Sequence, residues 1–144
     1  MNWSPLTLQD LQAIKAAALI EALRTSALAE DETDPMDSII VNVTARIRSE
    51  IAACSGRSLD ADTTALPTSL KNLAARMVLR EMSSRLQLAL TKEEQEEQTQ
   101  DLHLLERIAS GEFYIETPDN PIAVDMPRIA ARCSKWKSEQ QEGV

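Results

Sequence analysis

Residues 39–54 read Ile39-Ile40-Val41-Asn42-Val43-Thr44-Ala45-Arg46-Ile47-Arg48-Ser49-Glu50-Ile51-Ala52-Ala53-Cys54, and this stretch decides the fold class. Ile39/Ile40, Val43, Ile47, Ile51 and Cys54 recur at three- and four-residue steps, which places them on one stripe of a helix. Arg46, Arg48, Ser49 and Glu50 fall largely off that stripe. The five β-branched residues of the stripe lower its intrinsic helix propensity, so tertiary packing has to hold the helix in place. Other helices must therefore cover it. Gly56 is placed to end it with a left-handed cap.

Before this stretch, Thr7 to about Leu28 reads as a first helix. Leu8, Leu11, Ile14, Ala18, Leu19 and Leu23 take one face, and Asp10, Lys15, Glu21 and Arg24 the other. Thr7 and Asp10 make an N-cap pair. The acidic run from Glu30 to Pro35 ends this helix as a solvated loop. After Gly56, residues 57–66 carry Asp60, Asp62, Thr63 and Thr64 and read as a surface connection ahead of Pro67.

A third helix spans about Thr68 to Leu90. Leu70, Leu73, Ala74, Met77, Val78, Met82 and Leu86 form its apolar face, and Leu79 and Leu88 widen it, the pattern of a helix central to a bundle. Thr91 and Glu94 form a capping box for a fourth helix. Glu93, Glu94, Glu96 and Glu97 sit in its first turns, where the helix dipole favours negative charge. Its apolar residues, Leu102, Leu105, Ile108 and Ala109, come late. The first turns are thus expected to project and the last to reach the core, with Gly111 closing the helix. Residues 112–116 alternate weakly, as a short extended piece stopped by Pro118.

Pro118, Pro121 and Pro127 then punctuate a linker. In a short tail helix, Ile129, Cys133 and Trp136 share one face, with Arg128, Arg132, Lys135 and Lys137 around them. Residues 126–144 carry net +2, which leaves −10 on residues 1–125, so tail and body are of opposite charge. The expected architecture is all-α. A four-helix bundle-like domain with a short extended segment covers residues 1–118, and a linker with a basic amphipathic tail helix covers 119–144.

Composition bounds the function. A chain of 144 residues suits one domain with a real core. Apolar residues make up 43% and aromatics only 3%, so Leu and Ala carry the packing. A net charge of −8 opposes broad, phosphate-driven binding of nucleic acid. Two cysteines, Cys54 and Cys133, are too few for a disulfide scaffold or a four-ligand zinc site. Both are expected as small buried thiols, kept unpaired in a reducing compartment. No apolar run approaches the ~20 residues of a membrane span and no secretion-signal pattern is present, so a soluble intracellular protein with no membrane partner is expected.

Chemistry-bearing constellations are scarce. His103, the sole histidine, would have to serve any nucleophilic triad as its base, yet it sits mid-helix between Leu102 and Leu104. A surface contact with Glu106 or Asp101 accounts for it. The Glu93–Glu97 cluster lacks the Glu-x-x-His pairs of a di-iron bundle, and the acidic 30–37 loop lacks the glycine and closing glutamate of a calcium loop. No phosphate-binding glycine loop or nucleophile elbow occurs. No catalytic residue, cofactor or metal is assigned, and turnover is not expected.

The strongest polar feature is the basic side of the third helix, Arg76, Arg80 and Arg85. Either these arginines pair within the chain, with the acidic start of the fourth helix and the 30–37 loop, or they meet a neighbouring subunit. Together with Arg128, Ile129, Arg132 and Trp136 of the tail, they form the candidate interface.

Four stretches resemble a known group. Thr7-Leu8-Gln9-Asp10-Leu11 looks like the T-x-x-D-L opening of small tailed-phage proteins of the head-tail connector group, and Ile39–Cys54 is similar to their second element. Leu66-Pro67-Thr68-Ser69-Leu70, leading into Leu73-Ala74-Ala75-Arg76, resembles the entry to their long central helix. Leu104-Leu105-Glu106-Arg107-Ile108-Ala109-Ser110-Gly111-Glu112 is similar to the L-x-x-I-A-x-G-x close of the last helix in a Mu-like prophage family. The resemblance covers residues 7–118.

It implies a structural protein: a head-tail connector or completion component, forming a homo-oligomeric ring between the portal and tail of a phage or prophage particle. The implied partners are further copies, the portal and tail-completion proteins. The implied location is the virion and, before assembly, the cytoplasm of the bacterial host. One competing reading is a DNA-associated packaging or regulatory protein using the arginines of the third helix, which the net charge opposes. Another is a metal-dependent enzyme of the helical-bundle kind.

Overall fold

Asp34 starts the helix that packs against those of Ala17–Ala27, Lys71–Arg85 and Lys92–Ser110. Its carboxylate accepts a hydrogen bond from the Met36 amide at 3.0 Å, and Pro35 stands in the first turn, where a missing N–H costs nothing. The computed structural model describes residues 2–15, 17–27, 34–54 and 56–122. Its elements run β1 (Trp3–Pro5), α1 (Leu8–Gln12), α2 (Ala17–Ala27), α3 (Pro35–Ala53), β2 (Ala65–Pro67), a 3-10 turn (Thr68–Leu70), α4 (Lys71–Arg85) and α5 (Lys92–Ser110). The protein is mainly helical, with one two-stranded sheet among the described residues. The expected tail helix lies outside the described residues. Among those described, no helix is long and apolar enough to cross a membrane.

The stripe read from residues 39–54 is the core face of α3. Ile39, Val43, Ile47, Ile51 and Cys54 are buried, and the helix packs against both α4 and α5. α4 buries Leu73, Ala74, Ala75, Met77, Val78, Leu79 and Met82 and packs against α1, α2 and α3. α5 has the reciprocal capping box expected of Thr91 and Glu94, and it ends at Gly111 with φ 86°.

The helix expected over residues 7–28 is two helices. Leu11 and Ile20 are both fully buried, yet nine residues of unbroken helix would turn them roughly 180° apart. The break after α1 lets both reach the core. It leaves Ile14 and Leu19, expected on the apolar face, exposed.

The helix expected to reach Leu90 stops at Arg85. Gln87 adopts a left-handed conformation (φ 54°). Its N–H donates to the Ser84 carbonyl at 2.9 Å, and that of Leu88 donates to the Ser83 carbonyl at 3.0 Å. The last carbonyls are thus satisfied by a turn usually built on glycine. Leu88 leaves the apolar face with it.

The 57–66 connection, expected over the surface, ends in the core. β2 pairs antiparallel with β1, Trp3 opposite Pro67 and Pro5 opposite Ala65, and both Trp3 and Leu66 are buried. Arg48, expected off the apolar stripe, is buried at this junction. It donates to the carbonyls of Asp60 (2.7 Å), Ala65 (2.8 Å) and Asp62 (3.0 Å). Those acceptors explain why a charge tolerates the position.

Cys54 corrects another expectation. It is buried but disulfide-bonded, and Cys133 lies outside the described residues. The spacing that puts Cys54 on the core face does not show that it stands at the very end of α3, in extended backbone, where another segment can reach it.

Residues 112–122 lie back across β1 and the 57–66 connection. Phe113 and Ile115 pack against the core while Tyr114 points out; no strand forms over 112–116. The Trp3 indole N–H donates to the Glu116 carbonyl at 2.7 Å, and the Asp119 carboxylate accepts from the amides of Asn2 and Trp3. The Ile122 amide bonds the Leu59 carbonyl at 2.9 Å. Residues 119–122 are thus tied to β1 and to the 57–66 connection.

Candidate functional site

Arg76 and Arg80 are one turn apart on α4, and Glu97 and Asp101 are one turn apart on α5, so each pair shares a helix face. The two faces meet. Arg76 donates to Asp101 through Nη2 (2.7 Å) and Nε (3.2 Å), and Arg80 donates to the same carboxylate through Nη2. Glu97 stands 3.5 Å from Arg76 and 4.0 Å from Arg80. Asp101 is only 4% exposed while Glu97 stays exposed, so two guanidiniums face one buried and one outer carboxylate. The hydrogen bonds that Arg76 donates to Asp101 raise its pKa above the ordinary value against the effect of burial. Long charged side chains thereby join α4 to α5.

The first two of the three candidate arginines are accordingly paired inside the chain. Arg85 is exposed in the last turn of α4, where positive charge suits the helix dipole. Arg128, Ile129, Arg132 and Trp136 lie outside the described residues. His103 is exposed on α5, its Nδ1 3.4 Å from Glu106. Among the described residues, no group of three or more His, Cys, Asp or Glu side chains is placed to hold a metal ion.

Two further arginines, which spacing alone does not single out, hold backbone carbonyls. Arg48 fixes the 60–65 turn, as above. Arg57 donates to the carbonyls of Ile108 (2.7 Å) and Phe113 and so ties down the end of α5. Burial lowers the pKa of both, and for Arg48 the charges of Asp60 and Asp62 oppose that shift. These are structural clamps.

Beside the Arg76–Arg80–Asp101 cluster runs an open groove of about 490 Å³, between Arg46 on α3, Met77 and Glu81 on α4, the Gln87–Leu90 turn, and Gln98, Leu102 and Leu105 on α5. A second hollow of about 420 Å³ continues it along α5 toward Ser110, sharing Arg46, Leu102 and Leu105 and adding Glu50 and Glu106. The lining mixes leucine side chains and Met77 with charged and amide groups, among them Arg46, Arg80, Glu81, Gln98 and Asp101. The groove exists because Leu88 (53% exposed) and Leu102 (45% exposed), both expected to pack in the core, stop short of it. No local signal in the sequence marks either residue as surface.

The first half of α5 is the other feature. None of residues 92–100 is buried, and Glu93 and Glu96 are exposed, as expected from the late arrival of apolar residues. No protein-family model, no curated protein and no solved structure matches the chain.

Proposed function

We propose that this chain is a structural subunit of a tailed-phage or prophage particle, packing with further copies in a head-tail connector ring between portal and tail. Its work is contact rather than turnover. The resemblance over residues 7–118 supports the particle, and the start of α5 carries the packing role. None of residues 92–100 is buried; Glu94 and Glu97 pair with Lys15 and with Arg76 and Arg80 of the same chain, while Glu93 and Glu96 stay exposed on a start of α5 whose direction the capping box fixes. A rigid acidic extension of this kind suits a basic surface on a neighbouring subunit and sets orientation as much as affinity. The DNA-associated reading needs Arg76, Arg80 and Arg85 as one open face, and Asp101 already engages the first two.

The test is the double variant Glu93→Lys/Glu96→Lys, expressed with the portal and tail-completion proteins of the same particle. Both side chains are exposed, so the subunit is expected to melt as the parent does while failing to enter the ring seen by electron microscopy. Incorporation equal to the parent's overturns the reading.

A further inference from the structure

We propose that the groove along α5 is the seat of this chain's own C-terminal segment, residues 126–144. The proposal does not depend on the particle assignment. The groove offers Leu88 and Leu102, each about half exposed, and its charged lining is acidic on balance, with Glu50, Glu81, Asp101 and Glu106 against Arg46 and Arg80. The segment has the complementary pattern: Ile129, Cys133 and Trp136 at helical spacing, flanked by Arg128, Arg132, Lys135 and Lys137. Charge complementarity therefore pairs the two by sign as well as by polarity.

A covalent observation agrees with a seat near one end of the groove. Cys54 follows Glu50, on the groove rim, by one helical turn, and it is disulfide-bonded. The sequence holds one other cysteine, Cys133, in the middle of the tail stripe. The chain can make that connection. Ile122 is held at Leu59, five residues from Cys54, and the eleven residues from Ile122 to Cys133 extend up to ~36 Å.

The test uses the full chain, purified without reductant and kept dilute. Trypsin cuts after Arg128, Arg132, Lys135 and Lys137, and their cleavage rates are compared between the parent and Leu88→Glu/Leu102→Glu. At least tenfold faster cleavage in the variant is expected, together with a Cys54–Cys133 linked peptide from the parent. If the double glutamate variant melts early, Glu50→Gln/Glu106→Gln, which alters only the rim, is measured in its place and is expected to show the same direction. Equal rates in parent and a folded variant overturn the proposal, as does a Cys54 peptide linked between two chains. Protection that appears only at concentrations where light scattering shows a dimer also overturns it, because the occupant is then a second copy.

Discussion

The guanidinium carbon of Arg48 stands 5.8 Å from the centre of the Trp3 ring, so a charge carried by α3 covers the first strand of the chain. The same guanidinium holds three carbonyls of the 60–65 turn, and the Trp3 indole reaches on to the Glu116 carbonyl. One side chain thereby connects α3 and both strands, and through Trp3 the returning segment. Hydrogen bonds from a charged donor contribute more than neutral ones, and leaving several buried acceptors without a partner adds a desolvation cost.

Arg48→Ala is therefore expected to lower the unfolding free energy by about 3 kcal/mol in urea titration. Arg46→Ala, on the exposed side of the same helix, is expected to stay within about 0.5 kcal/mol. Arg48→Lys should recover only part of the loss, because a point charge lacks the planar fork that reaches several acceptors. Equal effects at Arg46 and Arg48 contradict the clamp.

Asp101 offers a second measurement. Removing it leaves Arg76 and Arg80 mostly buried, with the more distant Glu97 as their remaining partner. Breaking a buried ion pair from one side typically costs ~3–5 kcal/mol, so Asp101→Ala is expected near that range. Restoring neutrality by also changing Arg80→Met should return part of the stability, since the second change removes the charge that the first one stranded. A double variant as unstable as the sum of the single ones shows that the two residues do not act as a unit.

What the sequence disclosed was local. The α3 stripe, the Thr91–Glu94 capping box and the Gly111 cap each lie within a few residues of chain, where spacing and cap chemistry speak directly. The pairing of Trp3 with Pro67 was not legible, because three-residue strands leave no period to read. Nor was the burial of Arg48, whose partners come from a turn that only the fold brings near. The candidate site was legible in one half: the acids at the start of α5 and the arginines of α4 were recognised, with pairing between them left as one of two choices. The groove escaped because it depends on Leu88 missing the core, and that follows from the left-handed turn at Gln87.

That turn makes its own prediction. A residue with a side chain costs roughly 1–2 kcal/mol in the left-handed region, and glycine avoids most of this while losing some entropy in the unfolded chain. Gln87→Gly is therefore expected to raise the stability by about 0.5–1 kcal/mol, read as a higher urea midpoint at unchanged slope. A lower midpoint would mean that the Gln87 side chain contributes contacts that outweigh its backbone strain.

The acid limb of stability is set by carboxylates at helix starts. Asp34 is held below the usual carboxylate range, chiefly by hydrogen bonds from Arg24, one of them 2.9 Å from Nε, and further by the Met36 amide, against the effect of burial. Glu94 is lowered first by the Thr91 amide of its capping box. For Asp10 burial acts in the opposite direction, but bonds from Thr7 and Lys71 override it. Each folded-state pKa is depressed, so the unfolded chain binds more protons through the carboxylate range and stability rises with pH there. The contribution is complete above the unfolded value near 4 and is lost as pH falls through the lower folded values. Thermal melts from pH 7 to pH 2 should thus show a plateau above about pH 5 and a decline below it. In Asp34→Asn the side chain can still cap α3, but the ion pair with Arg24 is gone. That variant is expected to be less stable than the parent at pH 7, to decline less steeply, and to converge on the parent by pH 2. A gap that persists undiminished at pH 2 would place the loss in the cap itself and remove the Arg24–Asp34 pair as its source.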